Sequence, residues 1–227
     1  MGSIYVGITL NWHYANGYVF VSMPGYIAKM LKNFGHRDPT RSEHAPYTHV
    51  KPNYGSKVHL TFPEDRAAPL PPKDVKRPEQ ISGSLLFYRR AIDSSLLTAL
   101  GTLTSAQMNA TTDTGAALTK IINYCASNPV TVIHFHKIGM VLYVSSDASY
   151  LSKPKARRCA SGHFYLSSNP KDTHKAPTPK DTMPPMNGAI HAHNSIMGNV
   201  LSSAMEADMG SLYENLCNAE PIRVSLE

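Results

Sequence analysis

Cysteine is scarce in this chain. Its three cysteines among 227 residues, Cys125, Cys159 and Cys217, stand at no spacing used by zinc or redox sites. A sparse, odd-numbered set argues against a disulfide framework and fits a reducing compartment. No apolar run approaches the ~20 residues that cross a bilayer, and Met1-Gly2-Ser3 opens no basic n-region ahead of an apolar stretch. Membrane spanning and secretion are therefore not expected. No glycine-rich phosphate loop occurs, and no glycine pattern frames a serine as a nucleophile elbow.

What is present is enough to build a core. At 42% hydrophobic and 17% charged, the chain is not a disordered polymer, and its length suits one large domain or two small ones. The net charge is +6, and it is local. Residues 148–180 hold seven bases (Lys153, Lys155, Arg157, Arg158, Lys171, Lys175, Lys180) against one acid, Asp172, so the rest of the chain nets zero. A basic excess gathered in one place attracts polyanions over about a Debye length, whereas a solvated basic loop is the alternative reading of such a cluster.

Proline is also uneven: five of 17 lie in 63–78 and five more in 170–185, both without helical or alternating periodicity. Both stretches read as exposed, extended connectors, and the first marks a boundary after an N-terminal segment.

Ile4 to Leu10 is β-rich, Asn16-Gly17 is a favoured type I′ pair, and Tyr18 to Val21 is β-rich again, which predicts a hairpin. Ser22 is the expected cap of a helix carrying Ile27, Met30, Leu31 and Phe34 on one face. Three helical runs follow: Ile81, Leu85, Tyr88 and Ile92; then Leu96, Leu97, Leu100 and Leu103; then Leu118, Ile121, Ile122 and Cys125 behind Thr112 and Thr114. From Val130 the pattern turns to strands: Val130 to His136, Met140 to Ser146, Gly162 to Ser167 and Gly188 to Ile196. Ser202-Ser203 then opens a helix whose expected core stripe is Met205, Met209, Leu212 and Leu216. The last three of these strands, leading into one helix, predict an α/β or α+β domain.

Among residues fit for chemistry, Asp147 closes an apolar strand, where a carboxylate is costly unless paired, hydrogen-bonded or bound to a metal such as magnesium. A turn-capping aspartate is the plainer alternative. Glu206 and Asp208 sit near the start of the last helix, on opposite sides of the expected stripe, so both cannot serve one site; acids complementing the helix dipole are the alternative. His134/His136 and His191/His193, each at i, i+2, share strand faces, and Cys159 with His163 would have to complete a zinc site. No recognised spacing does so, and polar strand faces are the plainer reading.

Seven segments in order resemble one family. Tyr5-Val6-Gly7-Ile8-Thr9-Leu10, Ser22-Met23-Pro24-Gly25-Tyr26, His44-Ala45-Pro46-Tyr47, Gly83-Ser84-Leu85-Leu86-Phe87-Tyr88, Ala91-Ile92-Asp93, Ser146-Asp147-Ala148-Ser149-Tyr150-Leu151-Ser152 and Ser202-Ser203-Ala204-Met205-Glu206-Ala207-Asp208 are similar to copia-type LTR retrotransposon Pol polyproteins. The likeness spans nearly the whole chain. It implies an α+β fold: the end of a reverse-transcriptase palm and a thumb-like segment over 1–62, a proline-rich linker over 63–78, a helical connection over 79–129, and the first part of a ribonuclease H-like domain over 130–227, three antiparallel strands and then a helix.

The same resemblance implies the site. Asp147 matches the first catalytic aspartate, Asp208 stands four residues before Leu212 where the family has glutamate, and Glu206 is the earlier acid of the pair. Asp147 and Asp208 would hold magnesium in the parent family, where bound magnesium supports hydrolysis of the RNA strand of an RNA–DNA hybrid. Lys153, Lys155, Arg157 and Arg158 would meet substrate phosphates, with Tyr5 and Gly7 near a primer grip. Aspartate is one methylene shorter than glutamate, and the remaining carboxylates and the polymerase aspartates are expected outside this chain. Magnesium is therefore expected to bind weakly or not at all, with negligible activity for the chain alone, and the Asp147 strand is expected to have an open edge. Expected partners are RNA–DNA hybrid or other nucleic acid and the rest of a Pol polyprotein, with no membrane, in the cytoplasm within virus-like particles or in the nucleus. The alternative reading is a non-catalytic nucleic-acid-binding protein.

Overall fold

β-prone residues at the N-terminus fold into a meander whose turns need positive φ. In the computed structural model, which describes residues 2–48, 65–153, 157–168, 186–199 and 201–227, Gly2–Tyr5 (β1) pairs with Ile8–His13 (β2), and β2 with Tyr18–Ser22 (β3). Val6 and Gly7 join β1 to β2 with φ of 50° and 79°, the signs of a type I′ turn. The single strand expected from Ile4 to Leu10 is thus two, folded on each other, with a β-branched residue at a strained φ. The next connection is also longer than the two-residue turn expected at Asn16-Gly17: a 3₁₀ turn, Tyr14–Asn16, precedes a left-handed Gly17.

Val132–His136 (β4) completes this sheet beside β3, with Tyr18 opposite His136 and Ser22 opposite Val132. The sequence reading grouped that strand with the C-terminal part. Period-two alternation shows which residues share a face but does not name the partner strand.

Helices cover one side. Tyr26–Asn33 (α1) starts after a left-handed Gly25, while Ser22, the expected cap, ends β3. Lys76–Ala91 (α2) begins inside the stretch read as a linker, and Pro78, expected to be exposed, is buried in its first turn, where a missing N–H costs no helix bond. Leu97–Ala106 (α3) and Thr112–Ser127 (α4) follow. The α4 cap is Thr111 rather than Thr112 or Thr114: its hydroxyl accepts from the Thr114 N–H, and Thr114 Oγ1 accepts in return from the Thr111 N–H at 3.1 Å. Ile27, Ile81, Leu85, Leu100 and Ile121 centre a core shared by all four helices. Each such side chain contributes roughly 1.5–3 kcal/mol by leaving water.

A second antiparallel sheet runs β5-β6-β7: Val141–Lys153, Arg157–Ser167 and Ala189–Ile196. Both β5 and β6 outrun their expected lengths, so Asp147 lies within a strand and not at its end. Ala204–Leu226 (α5) follows and packs on β5 and β6. Among the described residues the chain is thus mixed α+β, with five α-helices and two antiparallel sheets, and no helix is long and apolar enough to cross a membrane.

The docked face of α5 overturns the expected stripe. Ala207, Ser211 and Asn215 are fully buried, whereas Met205, Met209, Leu212 and Leu216 are 51–72% exposed. The sheet beneath presents Gly162 and Ser146, so the helix approaches closely with small and hydrogen-bonding residues, leaving its large apolar side chains outside.

Candidate functional site

Where α5 crosses β5, the contact is polar. Ser211 Oγ donates to the Asp147 carbonyl oxygen at 2.6 Å, and Asn215 Nδ2 donates to Ser146 Oγ at 2.8 Å and to the Ser161 carbonyl at 3.0 Å. Ser146 therefore faces α5. Strand alternation sends the side chain of Asp147 to the opposite face, where it is exposed. Only the backbone of Asp147 touches the helix that carries the other two acids.

Those acids diverge as well. With the docked face centred on Ser211, Asp208 lies about 60° from its centre and Glu206 about 140°. Asp208 is exposed on the flank of the docked face. Glu206 is engaged in capping: its carboxylate accepts from the Ser202 N–H at 2.6 Å and from Ser202 Oγ, while its own N–H donates to Ser203 Oγ at 3.1 Å. These bonds, those to Ser202 first, hold its carboxyl below the usual range.

Two of the four bases expected to meet phosphate are committed inside the fold. Lys153 is 8% exposed, its ammonium donating to Thr102 Oγ1 on α3, and burial holds it below its usual range. Arg158 is 9% exposed: its guanidinium stacks 4.7 Å over the Tyr150 ring and donates to the Leu201 carbonyl. Tyr150 donates to the next carbonyl, Ser202, at 2.8 Å. Together Arg158 and Tyr150 clamp the segment that leads into α5. Arg157 is half-buried opposite Lys153, and Lys155 lies outside the described residues. Tyr5 ends β1, 70% exposed, and Gly7 lies in the β1–β2 turn.

Magnesium does not fit this donor set. The Asp147 carboxylate and α5 lie on opposite faces of the sheet, and Glu206 is occupied by its cap. Among the described residues no group of three or more His, Cys, Asp or Glu side chains is placed to hold a metal ion. Zinc fares no better: in register, His191 and His193 share the α5 face with Phe164 and Gly162, while Cys159 and His163 lie on the other. Burial pulls the pKa of both His191 and His193 down, reinforced by Arg90 for the first and by His191 for the second.

Comparison with family models, with curated proteins and with solved structures returned no match. Sequence reasoning also missed one feature. His13, Tyr18, Phe20, His134 and His136 form a continuous ring cluster on one face of the first sheet. The signal was the His134/His136 pair, whose partner strand the sequence did not reveal.

Proposed function

We propose that this chain is a segment of a copia-type retroelement Pol polyprotein whose C-terminal part is ribonuclease H-like in topology and engages nucleic acid without hydrolysing it. The observation that carries the reading is the order β5, β6, β7, α5: an antiparallel three-stranded sheet followed by a Ser203-capped helix seated across its first two strands. That order falls where the resemblance asks for it, with Asp147 in the first strand and Asp208 in the first turns of the helix. The separation of the acids supports the non-hydrolytic half of the reading.

A hybrid-cleavage assay tests it. The chain, given end-labelled RNA–DNA hybrid with magnesium or manganese, is expected to bind and to leave the RNA intact. Metal-dependent cleavage that disappears in Asp147→Asn would overturn the non-hydrolytic reading. The ancestry is tested separately by the coding DNA on either side, which is expected to carry paired aspartates upstream and a further carboxylate motif downstream. Intact, unrelated flanks would count against it.

A further inference from the structure

The first sheet uses its two faces differently. Its inner face mixes aliphatic and aromatic residues: Ile8 and Val21 pack on the helical core, and Ile133 and Phe135 close over Gly188. The outer face is aromatic. Antiparallel register sets His13 opposite Tyr18, Tyr18 opposite His136 and Phe20 opposite His134, so these five rings share one side. Their centroids lie close: 4.6 Å for His13 to Tyr18, 4.8 Å for Tyr18 to Phe20, 4.3 Å for Phe20 to His134 and 6.3 Å for Tyr18 to His136. Exposure alternates along β4, where Val132, His134 and His136 are exposed and Ile133 and Phe135 half-buried. His134 and His136 are thus the exposed rings of the face, and His13, Tyr18 and Phe20 are half-buried beside them.

Its chemistry selects an occupant. Four of the five rings carry hydrogen-bonding edges, joined by the exposed amide of Asn11 opposite Phe20, while exposed Ile4 and Val132 share the face. β1 to β4 contain no Asp or Glu, so nothing on the face repels a polyanion, and exposed Lys137 follows β4 at the sheet's end. Nucleobases stack on such rings whatever their sequence, and a four-stranded sheet bearing aromatic rings is an established way to hold unpaired bases. A duplex keeps its base faces covered and gains nothing here.

We propose that the face formed by His13, Tyr18, Phe20, His134 and His136 binds single-stranded nucleic acid by stacking unpaired bases. The proposal concerns the first sheet and stands apart from the ribonuclease H-like reading of the second.

The test is fluorescence anisotropy of the full chain with labelled oligo-dT, oligo-rU and an RNA–DNA hybrid of equal length. Both single strands are expected to bind, and His134→Ala, His136→Ala and Tyr18→Leu each to weaken binding by about tenfold. Tyr18→Leu keeps the apolar area and removes the π face, and far-UV circular dichroism shows whether each variant is folded. A preference for oligo-rU supports the proposal and adds a 2′-hydroxyl contact. The proposal falls if the folded chain binds neither single strand, or if folded variants bind unchanged. Hybrid binding that ignores these variants, with no single-strand binding, would leave the second-sheet reading standing and overturn this one. Concentration-dependent dimerisation abolished by the same variants, again without single-strand binding, would assign the face to a second copy instead.

Discussion

Gly162 is where the docking of α5 is most easily broken. It is buried in β6 beneath Asn215, and a Cβ there would meet Phe164 Cε2 at 2.7 Å and His193 Cε1 at 2.8 Å, with Asn215 Oδ1 nearer still. Phe164 is fully buried and has nowhere to retreat. Overpacking of this kind costs about 1–3 kcal/mol, and pushing Asn215 away adds roughly 1 kcal/mol for weakened bonds to Ser146 and Ser161. Gly162→Ala is therefore expected to lose about 2–4 kcal/mol. In urea unfolding followed by far-UV circular dichroism, with a slope near ~2 kcal/mol/M, the midpoint falls by about 1–2 M. Asn215→Ala alone costs about 1–3 kcal/mol, because the Ser146 and Ser161 oxygens lose their donor. The double variant relieves the closest clash and is expected to fall short of additivity by at least about 1 kcal/mol. A Gly162→Ala chain within about 0.5 kcal/mol of the parent, or strict additivity, would refute the close helix-on-sheet contact.

The outward stripe of α5 makes an opposite prediction: Met209→Gln and Leu212→Gln stay within about 0.5 kcal/mol of the parent in the same assay, while Ala207→Leu loses about 1–3 kcal/mol. A large loss at Leu212 would restore it to the core. Acid is expected to weaken the fold through His191 and His193. Burial holds both below the ordinary 6.5, so on acidification the unfolded chain takes up protons that the folded chain refuses. Their contribution is complete above about pH 6.5 and is lost toward their lower folded values, so the thermal midpoint drops on acidification and His193→Gln flattens the drop. A midpoint that rises with acid would contradict the burial of these imidazoles.

Much of the helical half was legible because its spacing reports burial directly: Ile81, Leu85 and Tyr88, like Leu118, Ile121 and Ile122, recur on a single face and are buried together. The final helix misled for a physical reason. Period-3.6 apolar residues define a stripe, but a sheet presenting Gly162 and Ser146 accepts only small and polar partners, so Ala207, Ser211 and Asn215 dock and the methionines remain outside. For two members of the basic cluster, sequence counts the charge without showing that Lys153 reaches Thr102 and Arg158 reaches Tyr150 and Leu201, while Lys155, Lys171, Lys175 and Lys180 lie outside the described residues. Around Asp147 the sequence suggested a strand ending at Ser146, whereas β5 continues to Lys153. What sequence left open was which face α5 would cover, and therefore whether its acids would meet that carboxylate.

That separation is the central claim, and manganese titration followed by amide line broadening in NMR spectra tests it directly. Paramagnetic manganese is expected to leave the Asp147 and Asp208 amides without a shared, saturable response. Joint broadening of both at the same low manganese concentration, abolished by Asp147→Asn, would show that the two carboxylates close on one ion and would contradict the account.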